Sequence, residues 1–351
     1  MTWLTWRQFR VSALAVLIAL AAFAATLAIT GPQLADLYRD APEDFFSRLG
    51  LDGPKQAVFS IGTALVYAIP AVIGVFWGAP LVARELEAGT HRLVWTQSVT
   101  RTRWLGTKLV VIGLAAVTAG LLAVALTWWC GPIDDAIRGG HGDNASLLGV
   151  PRLSPILFGA RGTLPIGLAL LALAIGVTAS LLLKRSIVAM AATLVAVVGI
   201  QIALPVLVQP HLLDPHVTKA TFSVDTLDGL MAGGPPGSAG STIHEIRVDL
   251  DEPGAWELSQ TTVDPSGKTV DEFPAWTSDC GGGPPPEPGS DSGPGGMEKC
   301  LDRLNAEGYR QEMTFLPASD FWTLQLLETG IVLVVAAGLT GFCFWRIRRD
   351  L

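Results

Sequence analysis

The sequence predicts an all-α polytopic membrane protein with six transmembrane helices and a large extracytoplasmic domain, α+β or irregular, between the fifth and the sixth. Three observations predict this class. Half of the 351 residues are apolar and only 16% are charged, with a mean hydropathy of +0.45. The charged residues are absent from long windows and concentrated between them. Six of these windows reach the length of roughly 20 apolar residues that a bilayer crossing requires.

The six windows are almost free of charge. They are Val11–Thr30, Ala57–Ala83, Leu109–Cys130, Leu164–Leu183, Ser186–Val208 and Phe321–Trp345. The first five contain no Asp, Glu, Lys or Arg, and the sixth contains one, Glu328. Buried helices of a soluble protein are a poor alternative, because uncharged runs of about 14 residues are already long for such helices. The first window exceeds the apolar region of a cleavable signal peptide, so a retained helix is predicted.

Lys and Arg residues give the orientation. Six spans place both termini on one side of the membrane, together with the loop Arg84–Lys108 and the turn Lys184–Arg185. That side holds twelve of the 24 Lys and Arg residues but only three of the 31 acids. Basic loops remain in the cytoplasm, so both termini are predicted there. The pI of 5.2 averages two surfaces of opposite charge and indicates no nucleic-acid partner.

The composition divides the chain into four parts. Residues 1–10 are predicted as an amphipathic interfacial helix, 11–208 as a five-span membrane region with a cytoplasmic loop at 84–108, 209–320 as the extracytoplasmic domain, and 321–351 as the sixth span with a basic cytoplasmic tail. The Trp and Arg residues of the first part also fit a simple basic flank of the first span.

Two shorter outer loops complete this plan. Gly31–Gln56 is predicted as a loop with a short helix at Pro32–Arg39, and Gly131–Gly162 as a polar, Gly-rich loop. Within the spans, Gly74 and Gly78 form a GxxxG pair, and Ala337 with Gly341 forms a similar small-residue pair. Such pairs allow close approach of helices, within a bundle or across a dimer.

Three prolines interrupt the apolar windows. Pro70 and Pro80 lie in the second window and Pro205 in the fifth. A proline lacks the N–H group that a helix interior needs, so kinks are predicted at these positions.

The predicted outer domain contains strand-like segments. Thr242–Leu250 alternates apolar and polar residues, and Trp256–Val263 and Thr269–Phe273 flank a hairpin turn at Asp264–Gly267. A Gly/Pro/Ser-rich stretch follows, bracketed by Cys280 and Cys300.

The two bracketing cysteines are predicted to form a disulfide. They lie on the side of the membrane where thiols are oxidised, and closing a loop of this length contributes about 3 kcal/mol. Two free thiols are the alternative.

The motifs of common enzyme active sites are absent. The sequence has no phosphate-binding GxxxxGK[ST] loop, no HExxH and no GxSxG. His141 stands alone, and His211 and His216 have no Cys or further His nearby, so no metal site is predicted. A buried acid in a membrane helix is a functional candidate by default. Glu328 is therefore either part of a polar path through the membrane or an anchor between helices.

The cytoplasmic loop at 84–108 carries helix-ending and helix-capping residues. Gly89 can end the helix of the second span, and Thr90 can cap a short helix that runs to about Gln97. Thr100 can cap the next helix, with Arg101 in its first turn. A short surface helix between two spans can transmit force from a soluble partner, whereas an ordinary basic loop only sets orientation.

Residues 78–105, GAPLVARELEAGTHRLVWTQSVTRTRWL, and residues 321–328, FWTLQLLE, carry a family resemblance. With the six-span plan, they resemble the permease subunits of ATP-binding-cassette (ABC) exporters of the type-2 class, in the actinobacterial style. The resemblance covers the whole membrane portion and is weakest over residues 209–317, where such permeases vary. A total of eighteen Arg against six Lys fits a bacterium with a GC-rich genome.

The resemblance implies a transport subunit without enzymatic activity in a bacterial cell membrane. Two such subunits, identical or paralogous, are expected to pair in the lipid bilayer and to bind ABC ATPase subunits. Those separate chains would hold ATP and Mg, and this chain would hold no cofactor or metal.

The resemblance also assigns residues. Gly89–Gln97 becomes a coupling helix seated in a groove of the ATPase, and Glu328 a residue of the transport path or a helix anchor. The residues expected to couple to the ATPase are Glu85, Glu87, Gly89, Thr90, Arg92, Thr96, Gln97 and Arg101. Among them, the polar contacts would be Glu85, Glu87, Arg92 and Gln97.

Two other classes of function were weighed. The acidic outer domain also fits a membrane-anchored sensor or assembly protein that binds a ligand outside the cell. An intramembrane enzyme is disfavoured because the spans contain no paired catalytic residues. The scarcity of charge in the spans favours an amphiphilic substrate, such as a lipid, a drug-like metabolite or a hydrophobic peptide, over an inorganic ion.

Overall fold

The computed structural model describes residues 2–50, 53–89, 100–141, 148–233, 242–270, 273–274, 276–277 and 295–350. The protein is mostly helical, and six helices within this part are long and apolar enough to cross a membrane. The predicted number of spans is confirmed. The chain divides into two compact units, one of residues Met1–Leu213 with Ala318–Leu351 and one of Asp214–Pro317.

The first unit contains the six spans, here numbered in chain order. Their helices are Thr2–Asp40; Pro54–Val72 with Ile73–Gly78 and Ala79–Glu87; Arg101–Trp129; Leu164–Leu183; Ser186–Ala203 with Leu204–Val208; and Phe321–Asp350. Shorter helices are Phe45–Leu49, Gly131–Arg138, Pro155–Phe158, Gln209–His211 and Ala318–Asp320. The fourth span is the most buried and packs against the second, third, fifth and sixth spans.

The first span differs from its predicted bounds. A single helix runs from Thr2 to Asp40, so residues 2–10 continue into the span and Pro32–Arg39 belongs to the same helix. A proline at position 32 does not end the helix, because its fixed φ of about −65° is compatible with helical backbone. The predicted loop position of Pro32–Arg39 is wrong, whereas the division of the chain at residue 10 stays a prediction and the continuous helix agrees with a basic flank of the first span.

Two spans contain π-helical turns near the predicted prolines. Ile73–Gly78 follows Pro70, and Leu204–Val208 contains Pro205. Pro80 follows the first of these turns directly, as the second residue of the α-helix Ala79–Glu87. Since π-helical turns replace regular hydrogen bonds locally, these are the sites where both helices deviate from regular geometry.

The GxxxG pair of the second span is used within the chain. A Cβ atom on Gly176 of the fourth span would lie 2.5 Å from the carbonyl oxygen of Gly74, and one on Gly78 would lie 3.0 Å from the carbonyl oxygen of Leu173. The backbones of the second and fourth spans are therefore in direct contact. Around Gly341 of the other predicted pair, no described atom lies within 4 Å of a Cβ position.

The described part of the second unit contains five strands: β1 (His216–Ala220), β2 (Leu227–Gly233), β3 (Thr242–Val248), β4 (Trp256–Val263) and β5 (Arg310–Leu316). They form an antiparallel sheet in the order β1-β5-β4 and a two-stranded antiparallel sheet of β2 and β3. The helix Gly295–Ala306 contributes Leu301 and Leu304 to a small core with Phe222, Ile246 and Val248.

The predicted hairpin of this unit is present in its described residues. The turn at Asp264–Gly267 forms, with Gly267 at φ +83° and the Asp264 carboxylate accepting hydrogen bonds from the backbone N–H groups of Ser266 and Lys268. Across it, Val263 forms an antiparallel bridge with Thr269, and the backbone N–H of Val270 donates to the carbonyl oxygen of Thr262. The predicted strand Thr269–Phe273 continues into residues outside the described part, and β4 also pairs with β5. β5 is therefore an additional partner of β4, and buried side chains alternate along it.

The close contact of the second and fourth spans gives a stability prediction. Gly176→Ala should destabilise the purified protein by about 1–3 kcal/mol, because the added methyl group overlaps backbone atoms that side-chain motion cannot displace. The matched control is Gly338→Ala, whose Cβ position has open space and which should be neutral or slightly stabilising. Thermal unfolding in detergent measures both variants, and an equal effect of the two substitutions would contradict the packing described.

Candidate functional site

We call the end of the bundle that carries the loop at 84–108 the basic end. It contains a buried ion pair between two spans. The Lys108 Nζ atom lies 2.6 Å from Glu85 Oε1, with side-chain exposures of 6% and 18%. Nζ also donates a hydrogen bond to the carbonyl oxygen of Leu81 at 3.0 Å and lies 4.4 Å above the ring of Trp104. This cluster fixes the last turns of the second span to the first turns of the third.

Glu87 makes a second connection at the basic end. Its carboxylate accepts hydrogen bonds from the backbone N–H of Ser186 at 2.7 Å and from the Ser186 hydroxyl at 2.6 Å. Since Ser186 is the first residue of the fifth span, these bonds join the end of the second span to the start of the fifth. The Ser180 hydroxyl of the fourth span donates a hydrogen bond to the carbonyl oxygen of Ala79. The end of the second span is thus attached to three neighbouring spans.

The predicted coupling residues fall into two groups. Glu85 and Glu87 are engaged within the chain, Gly89 has a left-handed φ of +68° just after the second span, and Arg101 is exposed in the first turn of the third. Thr90, Arg92, Thr96 and Gln97 lie outside the described residues. Contact of any of these residues with an ATPase stays a prediction.

The predicted helix borders at Gly89 and Thr100 are present, and those at Thr90 and Gln97 lie outside the described residues. The backbone N–H of Gly89 donates to the carbonyl oxygen of Leu86, so the second span ends there. The Thr100 hydroxyl accepts a hydrogen bond from the backbone N–H of Arg103 at 3.3 Å and caps the third span. Residues 90–99 therefore connect two helix ends that the Glu85–Lys108 pair holds together.

At the opposite end of the bundle, residues 148–163 form a segment that we call the buried connector. It contains one helical turn, Pro155–Phe158, and is otherwise irregular, yet most of its second half is buried. The expectation of a polar outer loop over Gly131–Gly162 is wrong for this part. Irregular backbone in a membrane protein is tolerated only where its polar groups find partners in the protein or in water.

Gln325 of the sixth span supplies three of these partners. Its Oε1 atom accepts hydrogen bonds from the backbone N–H groups of Thr163 at 3.1 Å and Leu164 at 3.0 Å. Its Nε2 atom donates to the carbonyl oxygen of Phe158 at 3.0 Å. The side chain is fully buried. One amide thus satisfies both ends of the turn that leads into the fourth span.

Three other spans hold the connector in the same way. The Tyr67 hydroxyl of the second span donates to the carbonyl oxygen of Ile156 at 2.8 Å. The Thr127 hydroxyl of the third span accepts from the backbone N–H of Gly162 at 2.8 Å. Gln209, at the end of the fifth, donates to the carbonyl oxygen of Leu153 at 3.2 Å.

Buried charges surround the connector. Arg161 is 1% exposed and donates a hydrogen bond to the carbonyl oxygen of Leu126 at 3.2 Å. Arg152 lies 3.9 Å from the carboxylate of Asp134 and stacks over the ring of Phe321 at 4.3 Å. Burial raises the pKa of Asp134, and the positive charges of Arg161 and Arg152 act in the opposite direction. These groups join the short helix Gly131–Arg138 to the connector and to the sixth span.

Glu328 is buried next to this region with 1% exposure. Its Oε2 atom has no hydrogen-bond partner, and no ion pair to its carboxylate occurs within the described part of the chain. It lines a small cavity together with Tyr67, Gln201 and Gln209. Both predicted roles of Glu328, helix anchor and residue of the transport path, stay predictions.

The predicted disulfide is described at one of its two cysteines. Cys300 is disulfide-bonded, and Cys130 and Cys343 are free thiols. Cys280 lies outside the described residues, so the pairing stays a prediction. Within the described residues, no group of three or more His, Cys, Asp or Glu side chains could hold a metal ion.

Sequence reasoning missed most of the residues that hold the connector. Gln201, Gln209 and Gln325 are amides within or at the ends of apolar runs, and this was the available signal for buried hydrogen bonding. Arg152 and Arg161 flank a mostly apolar stretch, which predicts a buried rather than a polar segment. Lys108 was assigned to the membrane boundary, and its partner Glu85 was assigned to a contact outside the chain.

Six apolar helices, a buried irregular connector and polar ties between spans define a multi-pass membrane protein. Residues 17–209, more than half of the chain, match the family model described as "ABC-2 membrane transporter related". The chain belongs to this family, whose members are ABC-2 type permeases. Searches of curated proteins and of solved structures give no significant match.

The buried ion pair at the basic end gives one prediction. Lys108→Met should destabilise the protein by on the order of 3 kcal/mol, because it leaves the buried Glu85 carboxylate without its cation. The double variant Glu85→Gln, Lys108→Met should cost less than the sum of the two single variants. Asp36→Asn breaks an exposed pair with Arg39 and should cost less than about 1 kcal/mol. The free energies of unfolding of the Glu85→Gln, Lys108→Met and double variants form a double-mutant cycle. Strict additivity of the two single effects would show that Glu85 and Lys108 are not coupled.

The connector gives another prediction. Gln325→Leu should destabilise the protein by about 3 kcal/mol, because it leaves the buried N–H of Leu164, the partly buried N–H of Thr163 and the buried carbonyl of Phe158 without partners. The same substitution at the exposed Gln33 should change stability by less than about 0.5 kcal/mol. Equal melting temperatures for the two variants would mean that the connector does not depend on the Gln325 amide.

Proposed function

We propose that this chain is the permease subunit of an ABC transporter and forms the membrane path for ATP-driven export of an amphiphilic small molecule, lipid or peptide. Membership of the ABC-2 related family supports a permease that works with an ATPase subunit. The structural observation that carries the proposal is the rigid frame around residues 90–99. Both helix ends that border this segment are attached to the bundle through Glu85, Glu87 and Lys108.

The frame explains how ATP hydrolysis on another chain can move the spans. A partner that pushes on residues 90–99 pushes on the ends of the second and third spans at once, because the Glu85–Lys108 pair joins them. The Glu87–Ser186 hydrogen bonds pass the same displacement to the fifth span. In this proposal ATP and Mg bind to the ATPase, and the permease itself is not an enzyme.

The orientation follows from charge. The basic end holds the clusters of Lys and Arg, which favours the cytoplasmic side. Both termini then lie in the cytoplasm of a bacterial cell, and the unit Asp214–Pro317 lies outside it. Two permease copies, or this chain and a paralogue, would pair to contact the two ATPase subunits of a complete transporter.

The chemistry of the spans supports an amphiphilic substrate. A groove of about 390 Å³ opens between the third, fourth and sixth spans, and its lining is mainly apolar, including Leu109, Leu170 and Leu333. Such a surface has affinity for hydrocarbon rather than for a hydrated ion. The direction of transport rests on the resemblance to exporters.

The second unit supports a different candidate. Its described residues form a core of their own and two sheets, as expected for a binding module of a sensor or assembly protein. Copurification separates the two functions, because only a permease requires an ATPase partner. An affinity-tagged chain that recovers an ATPase under mild detergent supports the transporter, whereas recovery without any ATPase favours the sensor.

A loop variant tests the coupling itself. Arg92→Ala with Gln97→Ala should weaken ATPase binding by at least about fivefold, because interface hot spots contribute more than about 1 kcal/mol. The melting temperature of the permease should not change. Binding of the purified ATPase, followed by its stimulated hydrolysis rate in proteoliposomes, measures the effect.

The matched control is Arg138→Ala, which removes one exposed Arg at the opposite end of the bundle. It should leave ATPase binding unchanged. If the Arg138 variant and the loop variant reduced ATPase binding equally, or neither did, the coupling role of residues 90–99 would be wrong.

A further inference from the structure

The cavity beside Glu328 combines two unsatisfied acceptors. Oε2 of Glu328 and Oε1 of Gln209 are both buried and have no hydrogen-bond partner. Both side chains line the same cavity, whose free volume of about 10 Å³ is that of about one water molecule. Two acceptors that share one small cavity cannot bond to each other, so a donor is required between them.

The charge of Glu328 sets a stronger requirement. An ionised carboxylate without a partner is strongly unfavourable in an apolar interior. Within the described residues, no Lys or Arg forms an ion pair with it, and most of the other cavity residues are apolar, such as Phe158, Leu164 and Leu168. A water molecule alone would supply hydrogen bonds but would not remove the charge.

The neighbouring charged and titratable groups do not replace the missing cation. Tyr67 of the second span lines the cavity, but its hydroxyl donates to Ile156 of the connector. Arg161 of the connector bonds to the third span, and Arg152 lies over Phe321, about two turns before Glu328 on the sixth span. Lys108 of the third span is paired with Glu85 at the basic end. The fourth span presents only apolar side chains to the cavity.

We propose that the cavity of Glu328 and Gln209 is a proton-binding site, in which Glu328 is a neutral carboxylic acid that donates its hydrogen bond, through one water molecule, to the Gln209 amide oxygen. The proton removes the charge, and the O–H group with the water satisfies both acceptors. When the cavity opens to water, the carboxylic acid gives its proton to water and the carboxylate is solvated. The site would then couple opening of this end of the bundle to release of one proton, whether or not the chain works with an ATPase.

Infrared difference spectroscopy tests the protonation state directly. The spectrum of the wild-type protein in nanodiscs at pH 7, minus that of Glu328→Gln, should contain the C=O stretch of one protonated carboxyl group. In the Gln209→Leu variant this band should shift, because the acceptor of the hydrogen-bonded water is lost. Absence of the carboxylic acid band, with a carboxylate band in its place, would overturn the proposal.

The pH dependence of stability is a second measurement. In the folded state Glu328 keeps its proton at pH 7, whereas in the unfolded state a glutamate carboxyl group has already released it. Wild-type stability should therefore decrease as pH rises through neutrality. The unfolding equilibrium should move by about tenfold per pH unit relative to Glu328→Gln, which corresponds to one proton. The Gln variant should fold, since it replaces one neutral group by another of the same shape.

Three results would contradict the site. They are failure of Glu328→Gln to fold while Glu328→Asp folds, equal pH dependence of wild type and Glu328→Gln, and stabilisation of the wild type at pH 7 by Na⁺ or K⁺ but not by choline. The last result would assign the cavity to a bound metal cation instead of a proton.

Discussion

The membrane part of this protein depends on satisfying backbone polar groups where no water reaches them. Residues 148–163 are irregular and largely buried, so their N–H and C=O groups need partners that a regular helix would supply internally. Tyr67, Thr127, Gln209 and Gln325 supply them from four different spans. The connector and these spans therefore form one hydrogen-bonded body, and their relative positions are fixed together.

The two ends of the bundle use polar groups differently. At the basic end, Glu85, Glu87 and Lys108 attach helix ends to one another and leave residues 90–99 between two fixed points. At the opposite end, amides and hydroxyls hold the connector, while Glu328 has no partner among the described residues. The close backbone contact of Gly74 and Gly176 joins the second and fourth spans between these ends. A transporter needs such contacts, because a displacement at one end must reach the other.

The sequence was sufficient for the spans but not for the connector. Long uncharged windows predict membrane helices because charged side chains are too unfavourable in lipid to occur often within a span. The predicted bounds of Leu164–Leu183 match those observed. The capping residues Gly89 and Thr100 were predicted because caps are local chemistry. Gln325 and Lys108 were missed because their partners lie 162 and 23 residues away, and periodicity carries no information about such pairs. The strand β5 was missed as the partner of β4 for the same reason.

Hydrogen exchange of the connector is the most direct test of this arrangement. In nanodiscs, the amides of Gly162, Thr163 and Leu164 should exchange as slowly as those in the middle of the fourth span, because their N–H groups are bonded to Thr127 and Gln325 and are shielded from water. Exchange as fast as that of the exposed turn residues Glu43 and Asp44 would show that the connector is an open loop, and would contradict the account.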